Sequence, residues 1–96
     1  MIQTVTSTST LTSGYTLYFI DATNNSIDAT IPQMTNDNQY YNMVRIDNSS
    51  NTVNIILDNS SLITSETSFK LYPISNVMIM SLNSVWIPMN GYTKDR

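Results

Sequence analysis

Apolar side chains recur at every second position in one short stretch after another, and that spacing leaves the chain little but strands to build with. Tyr15, Leu17 and Phe19 alternate with Thr16 and Tyr18, Ile27, Ala29 and Ile31 with Asp28 and Thr30, and Val53, Ile55 and Leu57 with Asn54 and Ile56. Period two gathers one set of side chains on one side of a pleated backbone, whereas a helix would scatter them round its circumference. Turn-forming clusters separate these stretches at residues 21–26 (DATNNS), 47–51, 58–61 and 83–84. Asn, Asp and Ser tolerate left-handed backbone and hydrogen-bond their own main chain. Residues 45–55 (RIDNSSNTVNI) therefore predict a hairpin: a half-charged strand end, a tight polar turn, and a returning strand. Further strands are expected at 41–46, at 62–64, from Phe69 to about position 73, at 77–82 and at 85–87, with Pro32 stopping the strand at 27–31. Residues 33–39 read as a loop with room for one helical turn. Such closely spaced turn signals predict an all-β fold, a small antiparallel β-sandwich or barrel.

The composition supports strands. Twelve Asn, 13 Ser and 13 Thr stand among 96 residues, and these side chains compete for helix hydrogen bonds. A hydrophobic content of 41% argues for a folded core. A domain this short keeps a thin stability margin, and the chain has no cysteine for disulfides and neither cysteine nor histidine for a zinc staple. Assembly from several copies is the remaining remedy. Residues 77–82 fit it, because both sides of the strand are apolar: Val77 and Ile79 on one, Met78, Met80 and Leu82 on the other. Val44 and Ile46 likewise form a second apolar side of their strand, so Val44, Ile46, Met78, Met80 and Leu82 are the expected interface between copies.

Residues 1–14 differ from the rest. Threonine alternates at positions 4, 6, 8, 10 and 12 with few large apolar groups between. The expected organisation is an extended attachment arm at 1–14, with Gln3, Val5 and Leu11 as its contacts to a partner, followed by a β-domain at 15–96. The start of the sequence lacks the basic and apolar blocks of a signal peptide, and no apolar run approaches the roughly 20 residues of a membrane span. A cytosolically made, soluble protein is the expectation.

Catalysis lacks its parts. Without histidine or cysteine there is no ready general base or thiol nucleophile, and the seven acids lie mostly in turns. No spacing singles out a glycosidase pair, and a calcium site among Asp21, Asp28 and Asp47 has no recognisable loop. The expectation is no enzyme and no cofactor. A net charge of −3 with four dispersed basic residues also argues against nucleic acid. Aromatic rings remain as possible sugar platforms, with Tyr40 and Tyr92 the glycan candidates.

In their order and spacing these signals resemble the small β-domain repeated in bacteriophage tail-fibre, spike and head-fibre proteins. The likeness rests on Asp21-Ala22-Thr23, on Ile31-Pro32, on Arg45 through Val53 as the K-x-D-x-S-x-N-x-V type of turn, and on the closing strands from Val77 to Trp86. It departs from the pattern at Asn83-Ser84, which stands where a glycine-rich turn is usual. The domain also makes up nearly the whole chain instead of one part of a long fibre. In this it is similar to the trimeric head-fibre proteins of crAss-like phages. The resemblance implies an intertwined homotrimer located in the virion and attached to other virion proteins of the capsid or fibre. The expected function is that of a structural virion protein, a head-fibre (capsid decoration) or tail-fibre subunit. The alternative is a host-glycan-binding adhesin module of a receptor-binding protein.

Overall fold

A computed structural model describes residues 1–92. They fold into nine strands and no helix: β1 (Ile2–Val5), β2 (Ser9–Thr10), β3 (Leu17–Ile20), β4 (Ile27–Ile31), β5 (Tyr40–Arg45), β6 (Val53–Leu57), β7 (Ser68–Lys70), β8 (Asn76–Leu82) and β9 (Val85–Asn90). A five-stranded sheet has the order β1-β3-β5-β8-β9, and a four-stranded sheet the order β2-β4-β6-β7. The all-β reading and the two-sheet sandwich hold, but the sheets are mixed, not antiparallel.

From β1 to β6 the chain crosses to the other sheet after every strand. Each strand then lies parallel to the one two places earlier, Ile2 beside Leu17, Phe19 beside Val44, and Ile27 beside Val53. The result is three stacked turns of a flattened coil. Antiparallel pairing enters only at the end, where β7 joins β6, β8 joins β5, and β9 joins β8. Period-two patterning is the same for either strand direction, so the sequence could not distinguish them.

Two expectations fall with this topology. Residues 45–55 do not form a hairpin, because β5 and β6 belong to different sheets and the polar turn is a corner between layers. Residues 1–14 are not a separate arm, because β1 pairs with β3 and β2 with β4 as the first turn of the coil. Two apolar anchors, Val5 and Leu11, hold that turn in the core. By contrast Asn83 and Ser84 form the expected two-residue reversal. Both adopt positive φ, 52° and 68°, as a type I′ turn requires. Residues 33–39 contain no helical turn, and residues 62–64 give only a single bridge from Leu62 to Trp86. Pro88 lies within β9, an edge strand, where a missing N–H is tolerated.

The inward side chains of both sheets close one core. Tyr18, Tyr41 and Trp86 run through it as a chain of ring contacts, 5.3 Å between the first two centroids and 5.7 Å between the second pair. Trp86 is fully buried and its indole N–H donates to Ser60 Oγ at 3.1 Å. Beyond β9, Gly91 adopts φ +72°, and a Cβ there would fall 1.6 Å from the Asn76 carbonyl oxygen, so only glycine fits.

Candidate functional surface

The corner after β5 shows what the turn residues do. Arg45 ends β5 pointing inward with 2% of its surface exposed, so the strand end read as half-charged is a buried cation. Its Nε donates to Asp47 Oδ1 at 3.0 Å and its Nη2 to Asp47 Oδ2 at 3.1 Å. The remaining guanidinium donors reach the carbonyls of Leu71 (2.9 Å) and Asn51 (2.5 Å). The Asp47 carboxylate also accepts from the Ala22 N–H at 2.9 Å, the Ser49 N–H at 3.1 Å and the Ser49 hydroxyl at 2.6 Å. The Arg45 guanidinium holds this carboxyl well below the usual carboxylate range, and the Ser49 and Ala22 donors outdo part of the opposing effect of burial. Asn51 Nδ2 adds a bond to the Ala22 carbonyl at 2.7 Å. Successive corners of the coil, at Asp21-Ala22-Thr23 and 45–51, are thus tied together. All of this chemistry is consumed internally.

Asp21 and Asp28 are engaged separately. Asp21 Oδ1 caps the Thr23 N–H at 3.1 Å, and Asp28 Oδ1 accepts from Asn54 Nδ2 at 3.0 Å. Among the described residues no three His, Cys, Asp or Glu side chains group as metal ligands.

The two sheets differ sharply in what they turn outward. The alternation of burial places Asp28, Thr30, Asn54, Ile56, Ser68 and Lys70 on the outer face of the four-stranded sheet, a mixed polar surface. The five-stranded sheet presents Ile2 and Thr4 from β1, Leu17 and Phe19 from β3, and Tyr40, Asn42 and Val44 from β5. Asn76, Met78, Met80 and Leu82 follow from β8, with Val85 and Ile87 from β9. No charged residue stands among them. The pairings Tyr40–Met80 and Met80–Ile87 make one continuous row, and Phe19–Val44 begins another. The polar residues in the middle satisfy one another, Asn76 Nδ2 donating to Asn42 Oδ1 at 2.7 Å.

Of the residues expected at an interface, Val44, Met78, Met80 and Leu82 therefore share this face, and Leu82 is 45% exposed. Ile46, equally exposed, lies just past the end of β5 in the corner. The face also recruits Ile87 and, as a correction, Leu17 and Phe19: the alternation had put Phe19 with Tyr15 on the core side of its strand, whereas Tyr18 and Ile20 are the residues of β3 that are buried. The signal for Ile87 was present, since it shares a strand with a residue buried on the opposite side.

The expected attachment residues do not stand together outside the domain. Val5 and Leu11 are core, and Gln3 lies along β1 with its Oε1 accepting from the Thr12 N–H at 3.3 Å. The two glycan candidates are also apart. Tyr92 packs edge-on against Phe69 with centroids 5.5 Å apart and its hydroxyl 3.5 Å from Glu66. Tyr40 is 40% exposed and lines a cleft with Ser13, Gly14, Tyr15, Asn38 and Gln39. A second cleft, about 250 Å³, opens beside Arg45 between the 49–53 segment and residues 70–73.

No protein-family model matches the chain, and no curated protein matches it in sequence.

Proposed function

We propose that the chain is a structural virion protein, a subunit of a trimeric phage head fibre or tail fibre, whose copies meet through the outer face of the five-stranded sheet. The observation that carries this reading is the absence of charge from a broad apolar face whose only central polar pair, Asn42 and Asn76, is already hydrogen-bonded. Parallel strands are normally covered on both sides, and β1, β3 and β5 are covered on one. Full burial of a Val, Leu, Ile or Met side chain yields about 1.5–3 kcal/mol. Several half-exposed ones together approach the whole stability margin of a small domain. A neutral face offers nothing to nucleic acid, and it complements another copy of itself. The sequence resemblance to trimeric phage fibre domains supplies the choice of three copies and of the virion.

Light scattering tests the assembly: a mass near three times 10.8 kDa is expected. Met80→Lys should release monomers that keep the strand signature in circular dichroism, and it should remove the protein from purified particles. A chain that stays monomeric at tens of micromolar, or one whose trimer ignores Met80→Lys, overturns the reading.

A further inference from the structure

We infer that the cleft at the mouth of β3 and β5 is a binding site for a neutral carbohydrate, accepting one pyranose unit between Tyr15 and Tyr40. Tyr40 also stands on the face through which the copies are proposed to meet, so the test below reads sugar binding and mass separately. The cleft encloses about 300 Å³ between the segment 13–15, which leads into β3, and residues 38–41, which open β5. That volume is at the small end of ligand sites and suits a single ring.

Its lining fits a sugar better than other ligands. No charged side chain borders it, so phosphate, sulfate and sialic acid find no counter-ion. Two tyrosines supply flat apolar surface for the C–H face of a pyranose, each with a hydroxyl for its rim, at small conformational cost. Ser13, Asn38 and Gln39 supply neutral hydrogen-bonding groups. Gln39 Oε1 is taken by the backbone N–H groups of Thr35 (2.7 Å) and Asn36 (3.3 Å), which turns its Nε2 into the available donor.

The site is also held in shape before any ligand arrives. Tyr15 meets Tyr18 edge-on at 5.8 Å, and Tyr18 continues the ring chain through Tyr41 to Trp86 in the core. The Tyr18 hydroxyl donates to the Thr12 carbonyl and receives the Tyr15 N–H at 3.4 Å, fixing the first wall. Ser81 fixes the second. Its backbone accepts from the Asn38 N–H at 2.8 Å and donates to the Gln39 carbonyl at 2.8 Å, while its hydroxyl takes the Gln39 N–H at 3.0 Å. Rigid walls reduce the ordering cost of binding.

Saturation-transfer NMR on the full chain, with maltotriose, cellotriose, lactose and N,N′-diacetylchitobiose at millimolar concentration, tests the inference. Colominic acid serves as the anionic comparison. Transfer to at least one neutral sugar is expected, with little to the polyanion. Tyr40→Ala and Asn38→Gly should each weaken binding about tenfold. Asn38 already adopts φ 65°, so glycine there preserves the backbone and keeps the loss specific to the site. Light scattering on the same samples separates this result from assembly: Asn38→Gly should lose sugar and keep its mass. Silence from all four neutral sugars, equal binding by either variant, or preference for the polyanion overturns the inference.

Discussion

Replacing Asp47 by Asn preserves the shape of the side chain and removes what the corner depends on. The carboxylate accepts from two Arg45 nitrogens, two backbone N–H groups and one hydroxyl. An amide has one oxygen, and its NH₂ must face the Arg45 or Ser49 donors. The guanidinium is then left buried without its counter-charge, a defect that costs about 3–5 kcal/mol, much of a margin of about 5–15 kcal/mol. With a urea m-value of about 1–3 kcal/mol/M, the unfolding midpoint should fall by about 2 M, read from the emission of buried Trp86. Buried ion pairs elsewhere are often replaceable by apolar residues. Here Arg45→Met with Asp47→Leu should not restore stability. The pair also serves the Ala22 and Ser49 N–H groups and the Leu71 and Asn51 carbonyls, each costing about 1–3 kcal/mol when orphaned. The depressed carboxyl adds a pH signature. Its contribution is complete above the unfolded value near 4 and is lost as pH falls below it. The wild type should therefore lose its advantage over Asp47→Asn in acid. A midpoint that hardly moves, or a double variant as stable as the parent, would falsify the keystone reading.

Two smaller experiments address other buried groups. Ser81→Ala removes a fully buried hydroxyl that accepts the Gln39 N–H and donates to the Asn36 carbonyl at 2.8 Å. A loss of about 1–3 kcal/mol with faster amide exchange at Gln39 is expected, and unchanged exchange there would contradict the role given to Ser81. Burial pushes the Tyr41 phenol up to about 12, with Tyr18 adding to it. The unfolded chain gives up this proton near pH 10 and the folded chain does not, so stability should decline as pH rises from about 10 to about 12. Tyr41→Phe should remove that part of the decline, and an identical slope in the variant would exclude Tyr41 as its source.

Much of the interior was legible because a strand's buried side is written in alternate residues. Ile27, Ala29 and Ile31 all reach the core, and the doubly apolar run at 77–82 shows in β8 as Val77 and Ile79 turned inward with Met78, Met80 and Leu82 turned outward. What the sequence hid was which strand lies beside which. Tyr15 and Tyr40 share a cleft only because β3 and β5 run side by side in parallel, and nothing local announces that pairing. The burial of Arg45 went unstated because a cation at a strand end is usually solvated; the carboxylate two residues on, at Asp47, was the signal that it would be paired inside. At 1–14 the scarcity of apolar residues suggested independence, yet Val5 and Leu11 sufficed to fasten it.

The stacked turns begin at a border made by the backbone edges of β1 and β2. Unpaired edges of this kind invite stray strands and seed aggregates. Along this rim residues 4–10 are threonine and serine except Val5, with exposed Met1 and Ile2 before them. The stretch whose composition first suggested an attachment arm is thus one rim of the coil, and at the opposite rim β7 turns back against the direction of β2, β4 and β6 while β9 runs with β1, β3 and β5.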